Sequence, residues 1–452
     1  MNNTKVDKLP RGYIPAWASR AVSIAVNVVL IMQVSFYATD VLGMNPALVG
    51  ALFLGARVFD AITDLVFGYY INKTNTRWGK ARPFEIMIIP AWIFTIALFS
   101  VPNLGVLGQS IYILVFFVLS QAVCGAILAI CDPIYMGRSL PDQVQQGKVL
   151  AINGLIVMLF GIIVSIMLPI LIDTWGRQPG GWTRISMVIG IPMMLIGMGR
   201  FLFIKEKVSE EQLKIEQESK NISIGESVRL VRRNKYIIIF AFILLLTFAI
   251  SNMGAVVTLY YFEWIVGDLS LAAMLGLLGL AGPVVLLFFP LAMRKIGAIV
   301  FLKWAVAISI VGFIIRLFAG TNMPLIMVGS LLTAGIAFTS LVANIFLIQC
   351  MDYGEWKTGK RADGSVASLT DFTGKVGIGI GVGGVGLIMG FTGYDGMAEV
   401  QTGAANFAIV GLFSWIPAIL SIILLVLLHM YDLDKRMPQI KEELEQRRKS
   451  VV

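Results

Sequence analysis

Charge is scarce in this sequence. Of its 452 residues 14% are Asp, Glu, Lys or Arg and 57% are hydrophobic, whereas a soluble domain carries about 25% charged residues. A soluble globule of this length would still need a polar skin, because surface does not vanish with size. Disorder is excluded too, since it requires low hydrophobicity. Histidine is nearly absent: His429 alone makes neither a histidine metal centre nor a catalytic triad. The three cysteines, Cys124, Cys131 and Cys350, form no CxxC and no disulfide framework, and read as packing residues. A phosphate loop is missing as well. MDYGEWKTGKRADG offers Gly354 and Gly359-Lys360, but Arg361 stands where Ser or Thr is required and no strand precedes it. The first apolar run has no A-x-A cleavage signal and reads as a retained helix.

What is present is apolar sequence in helix-length pieces. Twelve runs of about 20 or more residues fall at 14–38, 46–71, 84–102, 110–137, 148–172, 183–204, 236–263, 269–293, 298–319, 324–350, 365–391 and 404–431. The net charge of +9 is distributed in a way that argues for topology and against nucleic acid. The connections after runs 1, 3, 7, 9 and 11 hold no Lys or Arg, and that after run 5 holds Arg177. The other connections and both ends hold nearly all the rest, among them Arg77, Lys80 and Arg82. The positive-inside rule predicts both termini in the cytoplasm, and the basic excess suits anionic lipid headgroups. The polar segment 205–235 separates two six-run halves, 1–204 and 236–431, and residues 432–452 form a cytoplasmic tail. Two parallel six-helix halves around a midplane site define the major facilitator architecture. The expected fold is therefore an all-α, twelve-helix membrane protein.

A charge at mid-bilayer costs about 2.5–3.5 kcal/mol on insertion scales and marks a pathway. Arg20, Arg57, Asp60, Asp64, Asp132, Arg316, Asp371 and Lys375 lie within the runs, with Glu263 nearer an end. Asp60 and Asp64 are one turn apart on one helix face. They ionise together only around a cation, or with one kept protonated, which describes a Na⁺ or H⁺ site to which Thr63 could add an oxygen. The competing reading is an internal salt bridge with Arg57, otherwise a structural counter-charge. Asp132 is either a ligand contact or the partner of a buried cation, with Tyr135 and Met136 on the next half turn. Asp371 and Lys375 are again i and i+4. They form a self-contained pair, or Lys375 links the second half to the carboxylates of the first. The basic turn with Lys80 and Arg82 and the string with Lys360 and Arg361 would pair with helix-end acids, here Asp352 and Glu355, as an inner gate.

Four strings carry a resemblance: FYATDVLG at 36–43, RVFDAITD at 57–64, NTRWGKARPF at 75–84 and DYGEWKTGKR at 352–361, joined by Lys375 in a glycine-rich eleventh run. Together they resemble the glycoside–pentoside–hexuronide:cation symporters of the major facilitator superfamily. The resemblance implies a cation site at Asp60 and Asp64, a sugar-contacting carboxylate at Asp132 with Met136 four positions later, and Lys375 near both. It also implies symport of sugar with H⁺ or Na⁺. This chain departs from the family pattern in three places. The middle of the first run has no acidic or amide residue at Ser23 or Ile24, although Asn27 is one turn on. Ser19-Arg20 stands where many relatives have Gly-Asp, and Arg20 either suits a uronide or snorkels. Ala129 occupies a position that offers a hydroxyl to Na⁺ elsewhere, which raises H⁺ as the coupling ion. An end at residue 452 implies no fused regulatory domain.

The expected function is cation-coupled symport of a sugar, glycoside or uronide by alternating access, with no enzymatic activity and no cofactor. The alternative is a facilitator or exporter of a non-sugar organic ion on the same scaffold. Expected partners are the small-molecule substrate, the coupling cation and membrane lipid, with no nucleic acid. The expected setting is a bacterial plasma membrane, with the monomer as the working unit.

Overall fold

The computed structural model describes residues 9, 11–74, 76, 78–140, 142–206, 234–359 and 363–450. Arg77, Lys360, Arg361 and most of the polar segment 205–235 lie outside the described residues. Those described are helical with short connections; their one β contact is an isolated bridge between Thr76 and Gly79.

Among the described residues, nine helical stretches are long and apolar enough to cross a membrane. Three of the twelve expected runs fall outside that set of described stretches. Pro46–Lys73 is one continuous helix, whose apolar stretch among the described side chains is Pro46–Arg57. Run 84–102 is divided into a 3-10 turn, Arg82–Met87, and a short helix, Ile88–Leu98. Run 269–293 divides into Leu269–Ala272, Ala273–Leu278 and Ala281–Ile296. A 3-10 turn tightens the chain and resets the helix.

Polar side chains set several helix starts. Asp142, Asn234, Asn322 and Thr402 each accept a backbone N–H from the first turn that follows, satisfying donors that have no partner inside the helix.

The chain forms two compact units. One comprises Met1–Tyr37 and Phe59–Ser219; the other comprises Ala38–Val58 and Lys220–Val452. The core of the first joins Trp17, Ile71, Ile127, Cys131, Tyr135, Met136, Val149 and Ile204. The second packs around Phe240, Leu302, Phe346, Leu424 and Tyr431.

Ala38–Val58 joins the second unit because its backbone meets glycines of the Asp363–Phe391 helix. A Cβ on Gly386 would lie 2.6 Å from the Pro46 carbonyl, and one on Gly50 would lie 2.5 Å from the Gly383 carbonyl. On the other side of the same helix, Gly377 and Gly381 each leave 2.6 Å to the carbonyls of Leu245 and Ala249. Small residues let helix backbones approach where lipid supplies no hydrophobic drive between helices.

Candidate transport site

The first unit gathers four charges in one cluster, three of them buried. Arg20, on the helix Tyr13–Ile31, and Arg200, on Gly199–Phe203, converge on a single oxygen of Asp132. Arg200 Nη1 donates to Asp132 Oδ1 at 2.5 Å, and Arg20 Nη2 pairs with the same atom. Glu85, in the 3-10 turn Arg82–Met87, faces both guanidiniums from behind: Arg20 Nε lies 3.5 Å from Oε2 and Arg200 Nε 3.7 Å from Oε1. Two cations meet two anions. That balance is what a buried ionic cluster needs, since an uncompensated member costs several kcal/mol.

Arg20 is 3% exposed and also donates from Nη1 to the Leu128 carbonyl at 3.3 Å. It therefore does not snorkel, and its charge does not stand open to an anionic sugar. Asp132 is held by two buried cations, yet its side chain is 46% exposed, so it is both an ion-pair partner and an accessible group. Pro133 beside it lacks an N–H, so the Ala129 carbonyl gains no helical bond from that position.

Aromatic rings carry the cluster. The Arg200 guanidinium lies 3.4 Å over the ring of Trp17 and 4.9 Å from that of Tyr135. Tyr135 donates its hydroxyl to the Ile204 carbonyl at 2.8 Å. Expected beside Asp132 as a substrate contact, Tyr135 is fully buried and supports Arg200 instead. Met136 is likewise buried in the core. The Tyr135 ring lies 5.9 Å from that of Trp17, and Trp17, Tyr135 and Met136 belong to one core cluster.

Glu85 and Arg200 were not among the residues singled out in the sequence. The signal existed: both fall inside expected runs, 84–102 and 183–204. Both lie near the run ends, where a charge costs little and does not stand out.

The proposed cation residues lie in the same unit, on the part of the Pro46–Lys73 helix that begins at Phe59. Asp60 and Thr63 are buried and Asp64 partly so. Thr63 donates to the Asp60 carbonyl at 2.8 Å and to the Ala122 carbonyl at 2.9 Å. Ala122 belongs to a π-helical turn, Val118–Gly125, a local widening that often accompanies functional sites. Asn27 is buried one layer away. Its amide donates to Thr95 Oγ1 at 2.8 Å and its oxygen accepts from Gln121 at 3.1 Å, a polar relay between helices.

The basic turn after Pro46–Lys73 is held through its backbone. The Glu206 carboxylate accepts from the backbone N–H groups of Lys80, Ala81 and Arg82 at 2.8, 2.7 and 2.6 Å. Arg82 Nη2 donates to the Phe201 carbonyl at 3.0 Å, and Lys80 is buried. Gly79 has φ 116 and faces the Glu206 carboxylate, a position closed to other residues.

In the second unit, Lys375 is partly buried and Asp371 exposed on the Asp363–Phe391 helix, and Arg57 is partly exposed. A Cβ on Gly379 would come 3.2 Å from that of Arg57. Asp352 and Glu355 lie near the end of the Phe338–Thr358 helix. Asp40, from the FYATDVLG string, accepts from Tyr394 at 2.6 Å and Trp264 at 3.2 Å.

Described residues that are helical, with membrane-length apolar stretches and a balanced charge cluster inside one unit, have the build of a transporter. Residues 14–435 match the family described as MFS/sugar transport protein, and the chain belongs to that family. It is 31% identical over 422 residues to an isoprimeverose transporter of Lactiplantibacillus pentosus, covering 91% of this chain and 86% of the relative. It is 27% identical over 423 residues to an uncharacterized symporter of Bacillus subtilis (strain 168), covering 92% and 90%. The crystal structure of a D-xylose-proton symporter superposes with a TM-score of 0.65 at 12% identity, covering 92% of this chain and 96% of the other. At that identity the likeness is one of fold.

Proposed function

We propose that this protein is a secondary active transporter of a bacterial plasma membrane, coupling the entry of a sugar or glycoside to a cation. The carrying observation is Asp132, an accessible carboxylate fixed by two buried guanidiniums in a chain of the MFS/sugar transport family. The named relatives, a sugar transporter and a symporter, support the same reading.

In this reading the chain crosses the membrane twelve times with both termini in the cytoplasm. The two halves, 1–204 and 236–431, rock around a midplane site, and the monomer is the working unit. Asp132 receives sugar hydroxyls, and Lys375 approaches from the second half. Asp60 and Asp64 take the cation, with Thr63 beside them. The coupling ion is H⁺ or Na⁺. Two carboxylates one turn apart repel until a cation or proton joins them. Loading therefore changes the charge of the pair, and cation and sugar raise each other's affinity by the same factor.

The test uses the full chain in proteoliposomes, loaded with a sugar and glycoside panel under imposed Na⁺ or pH gradients. Asp64→Asn should abolish cation-driven accumulation while sugar binding persists. Unchanged accumulation would sink the cation assignment. Gradient-driven flux of an organic ion, with no sugar response, would favour a non-sugar carrier.

A further inference from the structure

The accessible chemistry of the charge cluster is lopsided. Arg200 is 0% exposed and Glu85 1%, Arg20 is buried with them, and both guanidiniums already face carboxylates. Asp132 alone reaches the open side. Both of its ion pairs close on Oδ1, and Oδ2 makes no hydrogen bond among the described residues. A ligand arriving there meets an acceptor, and no donor of the cluster stands beside it. Arg200 Nη2 also makes no hydrogen bond among the described residues, but it is buried and cannot meet the ligand.

An ionised carboxylate accepts hydrogen bonds and donates none. A sugar hydroxyl supplies the missing proton. The carboxylate of a uronate, or a sulfonate, does not, and would be set oxygen against oxygen. The far field does not compensate, since the two cations and two anions of the cluster cancel. To reach the guanidiniums, an anion would have to displace Asp132 from two charge-assisted bonds at one atom, the strongest kind available to these groups.

We infer that Arg20, Arg200 and Glu85 are positioning residues that present Asp132 as a fixed, ionised acceptor, and that the site therefore selects neutral glycosides over uronates and other anionic sugars. The inference rests on the sugar-symport reading above. It reverses the expectation that Arg20 favours a uronide: the same arginine, buried behind a carboxylate, disfavours one.

The experiment measures binding to the purified full-length protein in detergent, by thermal shift and by competition. The probes are matched methyl and p-nitrophenyl glycosides: glucoside against glucuronide and galactoside against galacturonide, in both anomers, each with and without Na⁺. Xylosides serve as further neutral probes. The neutral member of a pair should bind at least about tenfold tighter, the scale of one hydrogen bond to a charged group. Asp132→Asn, nearly isosteric and half exposed, adds a donor and should erase most of that ratio. Arg200→Gln should weaken neutral-glycoside binding and Arg200→Lys should restore part of it. If Arg200→Gln does not fold, the charge-balanced Glu85→Gln/Arg200→Gln double variant replaces it. A uronate that binds as tightly as its neutral partner, or a ratio unchanged in Asp132→Asn, overturns the inference and leaves sugar symport standing. Silence across the whole panel overturns the sugar reading itself.

Discussion

Tyr394 donates its hydroxyl to Asp40 at 2.6 Å across 354 residues of chain. The same carboxylate accepts from Trp264 at 3.2 Å and from Thr39 at 2.6 Å, and Thr39 in turn meets the Tyr260 hydroxyl at 2.9 Å. One acidic residue of the FYATDVLG string thus gathers the Lys235–Tyr261 helix end and the turn after Asp363–Phe391. Asp40→Ala should strand several donors and cost at least about 2 kcal/mol. Tyr394→Phe should cost less, since Thr39 keeps Asp40 as its acceptor and Trp264, which loses the Tyr394 hydroxyl at 2.6 Å, still reaches Asp40 at 3.2 Å. Thermal unfolding in detergent measures both, and equal losses would contradict the network.

Glycine packing gives a sharper contrast. Gly386→Ala would set a Cβ 2.6 Å from the Pro46 carbonyl, whereas Gly384 has no atom within 4 Å of its added Cβ. The first change should destabilise by about 1–3 kcal/mol, as overpacking does. Gly384→Ala should be neutral or slightly stabilising, because it keeps the helix and lowers unfolded-chain entropy. A comparable melting-temperature loss in both would show that the close backbone approach is not what these glycines provide.

Glu206 binds three consecutive backbone N–H groups of the NTRWGKARPF turn. Bonds to a charged acceptor are worth about 1.5–3 kcal/mol each, so Glu206→Ala should be strongly destabilising and Glu206→Gln intermediate. Amide exchange at Lys80, Ala81 and Arg82 should rise in both variants. Gly79→Ala should raise exchange there as well, because its φ of 116 suits glycine alone. Protection retained in Glu206→Ala would place the turn's stability elsewhere.

The polar helix Leu433–Ser450, beyond the last apolar helix, is tied down by acids. Tyr236 donates to Asp432 at 2.6 Å, and Trp356 donates to Glu443 at 2.6 Å. These donors hold both carboxyls below their ordinary values, the Tyr236 hydroxyl acting first on Asp432 and the Trp356 indole first on Glu443. A depressed carboxyl contributes stability above its ordinary, unfolded-state value and loses it as pH falls through the depressed one. Exchange protection of residues 433–450 should therefore hold at neutral pH and fall in the acid range below about pH 4. Trp356→Phe should remove the Glu443 share of that dependence. A pH-independent tail would refute the link.

Much of this protein is legible without coordinates, because a bilayer imposes one-dimensional rules. Apolar length marks the helices, Lys and Arg placement suggests their direction, and each charge inside an apolar run is expensive enough to stand out. Arg20 and Asp132 were visible on that criterion, as were Asp60 and Asp64. The same criterion missed Glu85 and Arg200, because a charge at a run end is cheap on its own and gives no sign of what lies across from it. It also set Tyr135 beside the ligand, when the helix turns that ring inward under Arg200.

Composition and spacing determined the class of molecule: helical, built for the membrane, sparing with charge. Tertiary structure alone decided what those charges do. Burial turned Arg20 from an open cation into half of a clamp, and two guanidiniums on one oxygen left Asp132 the exposed group. The physical reason is that the cost of a charge can be read along a chain, whereas its compensation comes from a partner brought near by folding.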